Sequence, residues 1–274
     1  MIGRLRFGMV ASVYWLHATL ALGFAWPVAR LIGVPALAHP RGDAVLFDES
    51  AIYLTEVLRL YRPALASLAE GMSFFVLLLV YFGLFPLAMM LHALATREVP
   101  SFSTLLVAAS RSFAPMSLLL GLALTATALA LGLPLCCASL LETKLHAAFG
   151  ERGADIAKLG IMLGALSMAA LIAVIHDLAR AAVAIRAVNG VGAVALALAS
   201  FRVKARRAVA AFVLRWIAAL SLVFAGALAA ARLGVETDVR FATVVVLHQA
   251  VVFTLILLRA VWLRFAMTLL IDEA

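Results

Sequence analysis

The chain has 274 residues, of which 66% are hydrophobic and 13% are charged, and its formal net charge is +8. Soluble domains have about 45–50% apolar and about 25% charged residues, and a chain of this length has too little interior to hide the excess. The composition therefore excludes a soluble globular protein and makes lipid the solvent for much of the chain.

Six apolar runs are long enough to cross a bilayer, for which a helix needs about 20 residues. We predict an all-α transmembrane bundle, one integral membrane domain over residues 1–274, with spans at 7–27, 72–94, 114–135, 159–177, 209–231 and 241–259. Arg4 and Arg6 precede the first run, as basic residues precede the core of a signal peptide. That run is longer than a signal core and no small-x-small cleavage site follows it, so we expect an uncleaved anchor.

The basic residues are distributed unevenly between the two sides of the predicted bundle. With the N-terminus inside, the inner segments hold 13 basic and four acidic residues, and the outer segments hold nine basic and ten acidic residues. The positive-inside rule then places both termini in the cytoplasm, and we expect a bacterial inner membrane. The basic inner face, including Arg202, Lys204, Arg206 and Arg207, suits anionic lipid headgroups, so the charge requires no nucleic acid partner.

An amphipathic helix is predicted at 44–62, within the long first outer loop. Asp48 or Ser50 can cap it, and Pro63 interrupts it. Its apolar residues fall mainly on one face: Ile52, Leu54, Val57, Leu58 and Tyr61. Such a helix lies on the outer membrane surface or caps the bundle. It would be a lid that shields the span ends, or a gate or docking surface for an envelope partner.

Two inner segments predict short interfacial elbow helices, at 101–113 and 191–205. The helix-breaking residue Asn189 precedes the second of them. Each elbow follows a span that ends in His-x-Leu-Ala, at His92 and at His176. The two span–elbow–span units run in the same direction across the membrane. They are either a parallel pseudo-repeat or a convergent use of the same helix-end chemistry.

A charged turn, His176, Asp177 and Arg180, ends the fourth predicted span. Spacings of three and four residues place these side chains on one helix face. At the cytoplasmic boundary a charge costs far less than at the bilayer centre. Arg259 is expected at a similar depth on the last span, where a pair with Asp177 would tie the fourth span to the sixth. The group is a structural ion pair, or a functional one such as a hinge or a proton-linked switch.

Other polar residues lie within the predicted spans: His17, Thr125, Thr127, His248 and Gln249. Polar groups in lipid usually face the bundle interior or a water-filled cavity, which makes them candidates for a polar pathway. A neutral histidine or glutamine is also tolerated when it is hydrogen-bonded across helices. Packing and a pathway therefore both stay open.

Small residues in two spans predict close helix packing. Gly160 and Gly164 form a G-x-x-x-G in the fourth span, and a similar stripe in the fifth consists of Ser221, Ala225 and Ala229. Small side chains let helix backbones approach closely. The partner helix is expected within the chain, or else in another copy.

No motif in the sequence indicates catalysis, a cofactor or a metal. The sequence lacks G-x-S-x-G, H-E-x-x-H and Walker motifs. Gly190-x-Gly192-x-x-Ala195 imitates a dinucleotide motif, but no strand precedes it, so it predicts an elbow turn. The adjacent Cys136 and Cys137 lack the spacing of metal ligands. We expect no cofactor, no metal and no enzymatic activity.

The Asp-Leu-Ala-Arg at 177–180, on a span–elbow junction, resembles a motif of uncharacterised six-span bacterial membrane proteins. The outer segment GDAVLF…LTEVLRL is similar to the same group, which includes membrane domains found with glycerophosphodiester phosphodiesterases. The resemblance implies the six-span plan. It implies no phosphodiesterase activity, because the chain has no room for that soluble domain, and it transfers no catalytic residue.

We expect a subunit or scaffold of an envelope or transport assembly, with a membrane or envelope protein as its partner. A self-contained permease for a small solute or lipid is one alternative, for which His17, His248 and the apparent repeat argue. A lipid-modifying membrane enzyme is the other.

Overall fold

The computed structural model describes residues 7–37, 40, 52–96, 100–234 and 237–271. Helices account for nearly all of these residues, and no strand occurs among them. The prediction of an all-α chain is confirmed. The described helices, in chain order, are α1 (Phe7–Leu37), α2 (Ile52–Leu60), α3 (Arg62–Phe82), α4 (Leu84–Ala95), α5 (Phe102–Leu140), α6 (Glu142–Arg186), α7 (Gly190–Leu233) and α8 (Asp238–Ile271).

Five helical stretches of the described chain are long and apolar enough to cross a membrane. They are Arg62–Ala95, which comprises α3 and α4, and the four long helices Phe102–Leu140, Glu142–Arg186, Gly190–Leu233 and Asp238–Ile271. The chain therefore has the character of a multi-pass membrane protein. The predicted number of six spans is not confirmed.

The chain divides into two compact units, 11–84 in one and 85–274 with 1–10 in the other. In the smaller unit, α2 packs against α3. The predicted outer segment 44–62 is helical over Ile52–Leu60, and residues 44–51 lie outside the described residues. Pro63 stands in the first turn of α3, where its missing N–H leaves no helical hydrogen bond unmade.

The helices run well past the predicted span boundaries. α1 continues from the predicted end at 27 to Leu37, and the segment 142–158, predicted to lie outside the spans, belongs to α6. A kink at Gly150 divides α6, with φ 67° and ψ 177°, a conformation open essentially to glycine alone. Hydropathy predicts the part of a helix that lies in lipid. It does not predict where the helix ends, because a helix can continue into the aqueous region.

The two predicted elbows differ in the structure. The segment 101–113 joins the following span in the continuous helix α5, because Pro115 is accommodated inside the helix. The segment 191–205 is set off from its span by a kink at Lys204, where φ is −115° and ψ is 20°. Both α5 and α7 begin at a side-chain cap: the Thr104 N–H donates to Ser101 Oγ, and the Gly192 N–H donates to Asn189 Oδ1.

The packed core of the larger unit lies at one end of its long helices. α5 packs on α6 and α7, and α6, α7 and α8 pack on one another. We name this end the inner end, after its predicted orientation. Its most completely buried residues are Leu91, Met116, Val174, Leu178, Ala193, Ala197, Leu263 and Ala266. In the most apolar 18-residue window of each helix from α5 to α8, only 11% of the residues are buried. The remaining lengths expose apolar side chains, as a membrane-embedded surface does.

Candidate functional site

A partly buried cluster of charged and aromatic side chains lies at the inner-end core, where α6, α7 and α8 meet. We name it the Asp177 cluster, and its members are Asp177, Arg180, Arg215, Arg259 and Trp262. α6 supplies the first two residues from a turn of small residues, Ala179, Ala181 and Ala182, none of which is exposed. Small side chains bring the neighbouring helices close enough for long side chains to converge on one carboxylate.

Two residues of α8 and one residue of its own helix, α6, contact the carboxylate of Asp177. Trp262 donates its indole N–H from Nε1 to Oδ2 over 2.9 Å. Arg180 Nη1 and Arg259 Nη2 each lie 3.7 Å from Oδ1. Asp177 and Arg180 are only 5% and 7% exposed. At 3.7 Å the two guanidinium groups form ion pairs with the carboxylate without a direct hydrogen bond.

Aromatic rings connect this carboxylate to Arg215 on α7. The Phe212 and Trp262 rings meet edge to face with centroids 5.4 Å apart. The Arg215 guanidinium lies over the Phe212 ring at 5.9 Å and over the Trp216 ring at 5.5 Å. The cluster thus sets three guanidinium groups against one carboxylate.

Three buried nitrogens in and beside the cluster have no hydrogen-bond partner among the described residues. They are Arg180 Nε, Arg215 Nε and His176 Nε2. Buried polar groups are paired in the great majority of protein structures, so each of these atoms needs an explanation. The arrangement therefore has spare donors and an excess of positive charge.

The sequence pointed to part of this cluster. The structure brings His176, Asp177 and Arg180 together within α6, and it brings Arg259 of α8 to Asp177. The charged turn lies inside α6, however, and the chain leaves the helix only at Ala187, whose φ of 51° is left-handed. Sequence reasoning missed Trp262 and Arg215. Trp262 follows Arg259 by three residues, a spacing that places both on one helix face.

The predicted intramembrane polar residues are divided between the two units of the chain. His17 donates from Nδ1 to the Val13 carbonyl of its own helix, 2.7 Å away. Thr125, His248 and Gln249 are exposed, and Thr127 is half-buried. His17 belongs to the smaller unit and the other four belong to the larger one.

Close helix approach occurs at a glycine that the sequence patterns did not single out. A Cβ added at Gly160 or Gly164 would meet nothing within 4 Å, so no neighbouring helix of the described chain packs tightly there. At Gly226 of α7, an added Cβ would lie 2.8 Å from Val251 Cγ2 of α8. Gly226 is adjacent in sequence to Ala225 of the predicted stripe. The rotation of α7 about its own axis determines which of these two residues faces α8.

The basic residues at and just after the end of the second elbow differ in their surroundings: one is hydrogen-bonded to α8 and three are exposed. Lys204 donates to the Leu269 carbonyl over 2.6 Å, and Ser200 donates to the same oxygen over 3.2 Å. This pair satisfies a carbonyl in the last turn of α8, where a cation is also favoured by the helix dipole. Arg202, Arg206 and Arg207 are exposed. A second inner-end contact joins α4 to α5, where His92 Nε2 and Ser112 Oγ lie 2.8 Å apart.

Comparison with known proteins adds no relative. No protein-family model, curated protein or solved structure matches the chain. Among the described residues, no three His, Cys, Asp or Glu side chains are grouped so that they could hold a metal ion. The resemblance to six-span bacterial membrane proteins stays a prediction.

Proposed function

We propose that this chain is a non-enzymatic subunit or scaffold of a membrane assembly in the bacterial inner membrane, with both termini in the cytoplasm. In this proposal another membrane protein covers the outer lengths of α5–α8, which are the parts of these helices away from the inner-end core. The exposure of those lengths carries the proposal. Large apolar side chains there, such as Leu129, Leu163, Phe224 and Val246, are open, and the packing that holds the helices together lies at the inner end.

A polar residue on the same surface favours a protein over lipid as its cover. His248 is exposed in the outer half of α8, beside apolar neighbours such as Val245 and Val246. A polar side chain that faces hydrocarbon is costly, and it is more stable when it faces another helix that can accept or donate a hydrogen bond. A surface with this mixture suits contact with a partner helix.

A self-contained permease is less well supported. Such a protein needs its intramembrane polar groups to face a shared interior or a water-filled cavity. Thr125, His248 and Gln249 are instead exposed on the surfaces of α5 and α8. The Asp177 cluster combines arginines, one carboxylate and an indole, and none of these is a nucleophile activated by a neighbouring base. It therefore offers little support for the lipid-modifying enzyme.

The proposal is tested by purifying the chain from its native membranes in a mild detergent and measuring the mass of the intact particle. We expect a second protein in a fixed ratio. The variant His248→Leu should reduce the amount of that protein roughly tenfold, because an interhelical polar contact contributes about 0.6–2 kcal/mol. Thr268→Leu, at an exposed position at the inner end of α8 and outside that surface, is the matched control and should retain the partner. A particle that contains this chain and lipid alone would contradict the proposal.

A further inference from the structure

We infer that the Asp177 cluster binds one phosphate group, held by the guanidinium groups of Arg180, Arg215 and Arg259. The phosphate could be carried by an anionic lipid headgroup or be free phosphate, and the surface beside the cluster favours the lipid. This inference goes beyond the proposed function and does not depend on it, since it concerns what the chain binds on its own.

The cluster carries more positive than negative charge. Three guanidinium groups and one carboxylate leave a net charge of +2, with Arg180 buried and the Arg259 side chain 40% exposed. Guanidinium groups that share a single carboxylate repel one another, so an anion beside them is favourable. Asp177 cannot satisfy all three arginines. Trp262 already occupies Oδ2, and two guanidinium groups stand 3.7 Å from the same Oδ1. A second anion would remove the imbalance.

Two arginines of the cluster have unused hydrogen-bonding capacity. Arg180 is more than nine-tenths buried, at 7% exposure, and its Nε has no partner among the described residues. The Nε of Arg215 is likewise buried and unpartnered within the part of the chain that the structure describes. A guanidinium group presents its donors as a rigid planar fork that matches the oxygens of a phosphate. The free donors thus have the chemistry that a phosphate would satisfy.

The cluster is open on one side, next to a surface that suits a lipid. The Arg259 side chain is 40% exposed, so one side of the cluster is open. Arg215 stacks on Trp216, which is 48% exposed, and tryptophan is typical of the headgroup level of a membrane. Leu220 and Val223 are exposed and follow Trp216 along α7 at spacings of four and seven residues. These apolar side chains form a stripe on which an acyl chain can lie while its headgroup reaches the arginines.

The test titrates the purified, lipid-exchanged full-length chain and measures bound ligand by intact-protein mass spectrometry. The probes are phosphatidylglycerol, diacylglycerol and inorganic phosphate. We expect saturable binding of one phosphatidylglycerol per chain and none of diacylglycerol, which lacks the phosphate. Arg259→Gln and Arg215→Gln should each weaken this binding by about tenfold or more, because each removes a charge-assisted hydrogen bond. Arg202→Gln, at an exposed arginine outside the cluster, should leave it unchanged.

The three probes and a further variant separate the outcomes. Inorganic phosphate that displaces the lipid at an equal concentration would overturn the lipid as the source. Equal affinities for wild type, Arg259→Gln, Arg215→Gln and Arg202→Gln would overturn the site itself. Asp177→Asn should tighten the binding several-fold, since it removes the carboxylate that competes for the arginines, and a purely structural cluster predicts no such gain. None of these results bears on whether the chain has a protein partner.

Discussion

Asparagine in place of Asp177 removes the negative charge of the cluster while it keeps the size and shape of the side chain. The amide oxygen of the variant can still accept the indole N–H of Trp262, which lies 2.9 Å from Oδ2 in the structure. The ion pairs with Arg180 and Arg259 are lost. Arg180 then stays buried with no opposite charge beside it, and the inner ends of α6 and α8 lose their electrostatic connection.

The expected loss of stability follows from the burial of the groups involved. Removal of one partner from a buried ion pair costs about 3–5 kcal/mol, because the other charge stays desolvated. Arg180 meets that description at 7% exposure, but the Arg259 side chain is 40% exposed, so solvent and headgroups screen its share. The surviving hydrogen bond to Trp262 becomes weaker when its acceptor is neutral. We therefore expect the free energy of unfolding to fall by about 2–4 kcal/mol.

The assay is unfolding in mixed micelles of a mild and a denaturing detergent, followed by tryptophan fluorescence. Asp155→Asn is the matched control, because Asp155 is an exposed carboxylate on the same helix α6. The control should change the free energy of unfolding by no more than about 0.5 kcal/mol. An Asp177→Asn protein as stable as the control would refute the structural role of the cluster and leave a purely functional one.

Four further predictions use the same unfolding assay. Trp262→Phe keeps the ring but removes the hydrogen bond to the buried carboxylate, so stability should fall by about 1.5–3 kcal/mol, and an unchanged protein would rule out the observed pairing. Gly226→Ala should cost about 1–3 kcal/mol through a clash with Val251, and Val251→Ala in the same chain should restore most of it. Gly160→Ala, where the added Cβ meets nothing, should be neutral or slightly stabilising. A loss of stability as large as that of Gly226→Ala would mean that the Gly160 face of α6 packs closely against another helix. Ala187→Gly should stabilise the chain by about 0.5–1 kcal/mol, since the left-handed backbone at the end of α6 favours glycine, and a loss would show that this conformation is not adopted.

The helical class and the charged turn were predictable because both depend on local sequence. Long apolar runs determine the helices, and spacings of three and four residues put Asp177 and Arg180 on one face. The pairing of Asp177 with Arg259 was a prediction from topology, since both residues were expected at a similar depth in the membrane.

The remaining features depend on how the helices rotate against one another, which hydropathy does not report. Arg215 and Trp262 are part of the cluster because α7 and α8 turn those faces toward α6. The same rotation makes Gly226 the point of close approach while Gly160 meets nothing. The sequence patterns also did not predict that α5 continues through Pro115. Proline usually ends a helix in water but is accommodated in membrane helices.

A photocrosslink from the outer half of α8 in intact membranes tests most directly whether another membrane protein covers the outer lengths of α5–α8. A photoreactive amino acid replaces His248, which is exposed on that surface, and the control replaces Thr268, which is exposed at the inner end of the same helix. We expect a protein adduct of one defined mass from position 248 and none of that mass from position 268. Adducts with lipid alone at position 248 would contradict it, since that surface would then face the bilayer and have no protein partner.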